Sequence, residues 1–184
     1  MMYIYSYCIL DDHVSVVQTV LTGGGEGGMT TMQVLCRRAA SEDVETLFQL
    51  IKGYAEKAIM LPRTRETLTE LIDTFVVAEV DGVVVGCGSL AKLGDNLVEI
   101  RSLGITDGYK SLGIGSKLVD RLLEMAREQG ITKVMALTYA DKFFERNGFT
   151  IVEKEIFPEK VWRDCVNCPK QLACDEIAVL RELK

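Results

Sequence analysis

Apolar residues recur along this chain in two rhythms, one of two and one near three and a half. The switches between them predict its elements. "QVLCRRA", from Gln33, alternates and reads as a strand. In "SEDVETLFQLIKGYAEK" the spacing lengthens, so that Val44, Leu47, Phe48 and Ile51 share one helical face. Ser41 is placed as its N-cap, with acids in the first turn. "TRETLTELIDTF" predicts a second, shorter helix. In "FVVAEVDGVVVGCGSL" two alternating runs flank Asp81-Gly82, the pair that supplies the positive φ values of a type I′ hairpin turn. "LVEIRSLGI" is a third long strand, and "GIGSKLVDRLLEMAREQG" an amphipathic helix closed by Gly130 at C′. "TKVMALTY" predicts a strand and "ADKFFERNGF" a short helix; "TIVEKEIF" and "DEIAVLREL" predict two last strands. This order predicts an α/β (mixed α+β) fold. One central mixed, mostly antiparallel sheet of six to seven strands would carry helices on both faces.

Residues 1–31 differ from the rest. They hold no Lys or Arg and run into "TGGGEGGM", which reads as a flexible linker. They are expected to form a flexible or dispensable N-terminal extension ahead of one domain over 32–184. The 184 residues are enough for a single core. A net charge of −6 argues against non-specific nucleic-acid binding and against attraction to an anionic membrane. No apolar run reaches the roughly 18 residues of a membrane span. The amino end lacks the pattern of a signal peptide, so a cytoplasmic protein with reduced cysteines is expected.

"KSLGIGSKLV" follows the strand at 97–105 and opens a helix. A helix N-terminus after a glycine turn offers N–H groups to an anion. Gly113 and Gly115 let a phosphate approach, and Lys110 and Ser116 can add contacts. The spacing fits neither a Rossmann nor a Walker motif. "KSLGIG" does resemble the pyrophosphate loop Q/R-x-x-G-x-G/A of the GNAT acetyltransferases, with Lys110 at the first position. "MLPRTRETL", "VVGCGSL", "EIRSLGI", "VMALTYADKFFERNGF" and "FPEKVWRDCVNCPKQLACDEIAV" extend the resemblance over residues 33–184, to the short single-domain relatives of N-acetylglutamate synthase.

That resemblance implies the GNAT fold and transfer of an acetyl group from acetyl-CoA to the α-amine of L-glutamate, at the entry to arginine synthesis. It implies binding of the cofactor by Lys110, Gly113, Ile114, Gly115 and Ser116, with strand N–H groups at Leu103, Gly104 and Ile105 pairing with the pantetheine arm. Glu99 takes the place of the general base. Strand alternation puts it on one face with Arg101, Leu103 and Ile105, where an ion pair with Arg101 is the plainer reading. Phe144 stands where many relatives carry a tyrosine acid and cannot donate a proton, so Phe143 and Phe144 read as core. Thr138, with Tyr139 beside it, matches a hydroxyl given that role among glutamate synthases. Arg63 matches an arginine that holds the glutamate carboxylate. Arg101, Arg65, Lys160 and Arg163 are looser candidates.

Cys165, Cys168 and Cys174 cluster, but zinc usually takes four ligands, so they read as thiols and no metal is expected. Other readings stay open. The acceptor is glutamine or another amine, the fold is a non-catalytic acetyl-CoA sensor, or the cysteines make a metal module. The partners expected are an amino acid and acetyl-CoA, with no nucleic acid and no membrane; a homodimer is left open.

Overall fold

The Asp-Gly turn forms as its chemistry requires, with Asp81 at φ +50° and Gly82 at +81°, joining two strands that pair Val80 with Val83. The computed structural model describes residues 4–10, 13–24, 28–157 and 174–184, with side chains from residue 32 onward. In chain order the elements are β1 (Ile4–Leu10), β2 (His13–Gly24), β3 (Gly28–Arg38), α1 (Val44–Ala55), α2 (Arg65–Glu70), β4 (Phe75–Val80), β5 (Val83–Lys92) and β6 (Leu97–Ile105). They continue with α3 (Ile114–Glu128), β7 (Lys133–Thr138), α4 (Asp141–Arg146), β8 (Thr150–Val152) and β9 (Ile177–Glu182).

The strand order is β1-β2-β3-β4-β5-β6-β7-β9-β8. β6 and β7 run parallel, whereas β1-β2, β2-β3, β3-β4, β4-β5, β7-β9 and β8-β9 are antiparallel. β3 to β9 are the mostly antiparallel seven strands expected. In the segment read as a flexible or dispensable extension, β1 and β2 form a hairpin that pairs onto β3, and β3 spans residues 31 and 32. Among the described residues no helix is long and apolar enough to cross a membrane.

The chain divides into two compact units, residues 1–89 with 102–122, and residues 90–101 with 123–184. In the first, β5 shows why helices cover both faces. Cys87 joins a buried cluster with Leu47 and Ile51 of α1, Leu68 of α2, and Phe75 and Val77 of β4. Gly86 and Gly88 point the other way, because side chains alternate along a strand. A Cβ at Gly88 would come within 2.9 Å of Leu122, and one at Gly86 within 3.1 Å of Leu118. The glycines thus let α3 lie close to the sheet.

Ser41 does not cap α1. It opens a 3-10 turn, Ser41–Asp43; Asp43 takes the N-cap position of α1, with its carboxylate turned back to accept the Ala40 N–H at 2.8 Å. The same carboxylate receives Arg37 at 2.7 and 2.9 Å, and Arg37 Nε donates to Glu79 at 2.9 Å. Burial opposes the charge on Asp43, but the bonds from Arg37 and Ala40 outweigh it and hold the carboxyl below its ordinary range. A depressed folded-state pKa contributes stability above the unfolded value, lost as pH falls through the folded one. Asp43→Ala should therefore lower the unfolding free energy by about 3 kcal/mol at neutral pH. In urea titrations the difference should shrink below about pH 4; a difference independent of pH would assign it to packing instead.

In the second unit, Met135, Phe157 and Ala178 form a core with Leu97, Leu137, Val152 and Leu180 packed against it. Phe144 is buried, edge-on to Phe143 and Phe149 with centroids 5.2 and 5.1 Å away, so it serves packing as expected. Gly130, at φ +70°, closes α3 with its N–H on Arg127 O. The strand predicted over "TIVEKEIF" is only the three residues of β8, because the charged run after Val152 turns into a 3-10 segment, Lys154–Ile156. The sequence run 158–173, with Lys160, Arg163, Cys165 and Cys168, lies outside the described residues.

Candidate active site

In the first unit, β6 ends at Ile105 and the chain turns through residues 106–113 into α3. Ser111 and Gly113 take positive φ, +66° and +79°. Lys117 N–H makes a helical bond to Gly113 O, so the N–H groups of Ile114, Gly115 and Ser116 lie in the turn where a helix leaves its donors without intrahelical partners. A Cβ on Gly113 would meet nothing within 4 Å, so glycine is needed there for its φ and not for space. The loop face is open to an anion. Lys110 pairs with Asp107 at 2.6 Å, and Asp107 also takes Lys57 at 3.2 Å. The bond from Lys110 holds the Asp107 carboxyl below its usual range, and the same bond raises Lys110. Lys117, which the sequence pattern passes over, is half-buried in the first turn of α3, and burial lowers its pKa.

β6 is less regular than its sequence. Ser102 has φ +51° in mid-strand, which breaks the pleat. The alternation that puts Glu99, Arg101, Leu103 and Ile105 on one face therefore does not carry through. Serine gives no warning of such a conformation. The Cys87 thiol donates to Ser102 O at 3.3 Å, and burial pushes that thiol up to about 12, an unreactive cysteine. Gly104 faces α1: a Cβ there would lie 2.8 Å from the Tyr54 ring and 2.9 Å from Met60. Thr106 N–H donates to Val85 O of β5 at 2.7 Å. Ile105 N–H donates to the Tyr54 hydroxyl at 3.1 Å, and that hydroxyl donates to Ile105 O at 2.6 Å.

In the second unit, Glu99 is 3% exposed and receives Arg101 Nε at 2.5 Å. The ion pair of the plainer reading exists, but it is buried and not on a solvated face. Thr138 Oγ1, also buried, accepts the Ala140 N–H at 2.9 Å, which leaves its own proton to donate. Tyr139 is half exposed, and its hydroxyl donates to Asp175 at 2.9 Å, a partner that the sequence does not reveal. Arg63 is half-buried just before Thr64, whose hydroxyl caps α2. Arg65 is committed elsewhere: it holds Glu45 at 2.7 and 2.9 Å and lies 3.7 Å over the Phe48 ring.

The Acetyltransferase (GNAT) family matches residues 41–149, more than half of the chain. The chain belongs to the GNAT acetyltransferases. Over 155 residues it is 41% identical to an uncharacterized N-acetyltransferase of Chlorobaculum tepidum, covering 84% of this chain and all of that one. It is 41% identical over 131 residues to an amino-acid acetyltransferase of Mycobacterium tuberculosis, 67% of this chain and 75% of that one. It also superposes on N-acetylglutamate synthase of Neisseria gonorrhoeae, solved with coenzyme A and N-acetyl-glutamate, with a TM-score of 0.73 and 27% identity. That match covers 82% of this chain and 35% of the Neisseria chain, so this protein spans about a third of that enzyme.

As a GNAT enzyme the protein performs acetyl transfer from acetyl-CoA, and the loop suits the donor. Its left-handed Ser111 and Gly113 turn the chain into α3, whose first N–H groups are left to meet a pyrophosphate. The first unit gathers Lys110, Gly104, Ile105 and residues 113–116; the second gathers Glu99 with Arg101 and, apart from them, Tyr139 with Asp175. Among the described residues no three His, Cys, Asp or Glu side chains group as a metal site. Cys36 and Cys87 are buried and in no disulfide, and Lys154 donates to Cys174 O at 3.0 Å.

Proposed function

We propose that this acetyltransferase acts in the cytoplasm on the α-amine of L-glutamate, forming N-acetylglutamate at the start of arginine synthesis. The observation that carries the chemistry is the buried Glu99 carboxylate, fixed in orientation by Arg101. The acceptor assignment draws on the relatives named for amino acids and for N-acetylglutamate.

The amine nitrogen attacks the thioester carbonyl carbon, and the C–N bond forms as the C–S bond breaks. Glu99 takes the amine proton, directly or through one water. Backbone N–H groups of β6 near Leu103 and Gly104 stabilise charge on the carbonyl oxygen. The Thr138 hydroxyl donates a hydrogen bond to the departing thiolate, whose proton comes from water, because the Tyr139 proton is already given to Asp175. Arg63 holds a substrate carboxylate, as a guanidinium fork does well. We also propose that residues 1–31 are dispensable for acetyl transfer, since the hairpin of β1 and β2 lies outside the seven strands β3 to β9.

The test of the acceptor is kcat/KM for each of the twenty amino acids, read as acetyl-CoA-dependent thiol release. Glutamate should lead. A higher value for glutamine would keep the chemistry and replace the acceptor.

A further inference from the structure

The edge of β6 beyond its pairing with β7 carries an occupant that the proposed chemistry does not use. The parallel register of β6 with β7 runs from Leu97 opposite Lys133 to Glu99 opposite Met135. Further along, Thr106 gives its N–H to β5, and neighbouring residues of a strand aim their polar groups at opposite edges. The N–H and C=O of Ile105 therefore face away from β5. Both are taken by one atom, the Tyr54 hydroxyl, acting as acceptor to the first and donor to the second. Tyr54 comes from the last turn of α1, 51 residues earlier, and its ring lies over Gly104.

On a strand edge the N–H and C=O of one residue are met by the C=O of one trans amide and the N–H of the next. The pantetheine arm of acetyl-CoA contains two such amides, and an extended amide chain pairs with a strand edge as a peptide strand does. We infer that the Tyr54 hydroxyl is a built-in stand-in for the two pantetheine amides, which satisfies Ile105 in the ligand-free enzyme and is displaced when acetyl-CoA binds. The inference rests on acetyl-CoA as donor. Without such a partner the Ile105 groups would lie unpaired in a half-buried site, which is costly. Tyr54 is also tied to the loop, since Lys110 Nζ stands 5.3 Å from its ring and is held there by Asp107. The residue that opens the phosphate loop thus touches the residue that must leave the strand. Tyr54 is on this account a positioning residue that tunes donor affinity.

Calorimetric titration of the full chain with CoA and with adenosine 3′,5′-bisphosphate, which lacks the pantetheine arm, tests this. Tyr54→Phe keeps the ring and removes the competitor. Its Kd for CoA should fall by about 5-fold, the worth of one net hydrogen bond, and its Kd for the bisphosphate should not change. The KM for acetyl-CoA should fall with the Kd while that for the amino acid stays. An unchanged or weaker CoA affinity, or an equal shift for both ligands, overturns the inference. A crystal structure of the parent with CoA reads the same point without a variant: the Tyr54 hydroxyl should lie out of hydrogen-bond reach of Ile105, and a retained bond overturns it. Failure of the parent to bind CoA at all would overturn the donor assignment itself, and this inference with it.

Discussion

Glu99→Gln lowers kcat by about 10²–10⁴-fold at neutral pH, the range expected on losing a general base. The substitution keeps the shape of a buried side chain on β6 and one acceptor for Arg101, so the protein should still fold. What it removes is the atom that can hold the amine proton. An α-amine has a pKa of roughly 8 or above, so the ammonium dominates at pH 7. The deficit should therefore shrink as pH rises and more free amine is present. A purely structural Glu99 would give a different pattern: a lowered melting temperature, near-parental kcat in the folded fraction, and no dependence of the loss on pH. That outcome would make Glu99 no more than the partner of Arg101.

Arg63→Ala should raise KM for glutamate by about 10-fold to 100-fold, the cost of a lost charged hydrogen bond. The KM for acetyl-CoA should stay where it is, because the donor is placed on the loop and on β6. Arg63→Lys should restore only part of the loss, since lysine keeps the charge without the planar fork. Arg65 is the internal control. It lies two residues away but is spent on Glu45 and Phe48 at the surface. Arg65→Ala should leave both KM values unchanged. If Arg63→Ala does the same, the acceptor is not held through a carboxylate at that place.

Local chemistry was the legible part of this fold. Asp81-Gly82 has one good backbone solution, and it is the one adopted. Gly130 ends α3 because a left-handed residue is needed there, and the strand read over "LVEIRSLGI" is β6 from first residue to last. The N-terminal hairpin was not read from the sequence, although "IYSYCIL" and "HVSVVQTVL" are rich in β-formers. The glycine run after them and the absence of basic residues pointed to a linker instead. The cap of α1 was missed for another reason. Ser41 and Asp43 have similar N-cap preferences, and Asp43 is held in place by Arg37, which reaches it from β3.

The candidate site was legible where a motif is contiguous. "KSLGIG" and the strand before it lie together in sequence, so the turn into α3 could be read directly. The left-handed Ser102 could not, because nothing in the residue type demands it. Tyr54 on Ile105 and Tyr139 on Asp175 join residues 51 and 36 positions apart, and such contacts exist only once the chain has folded.

The most direct measurement incubates the purified protein with acetyl-CoA and L-glutamate and follows both products, free CoA by its thiol and the acetylated acceptor by mass spectrometry. The account predicts one N-acetylglutamate for each CoA released, and almost none of either from Glu99→Gln. Thiol release without N-acetylglutamate, or no turnover with any amino acid by a folded protein that binds CoA, would contradict it.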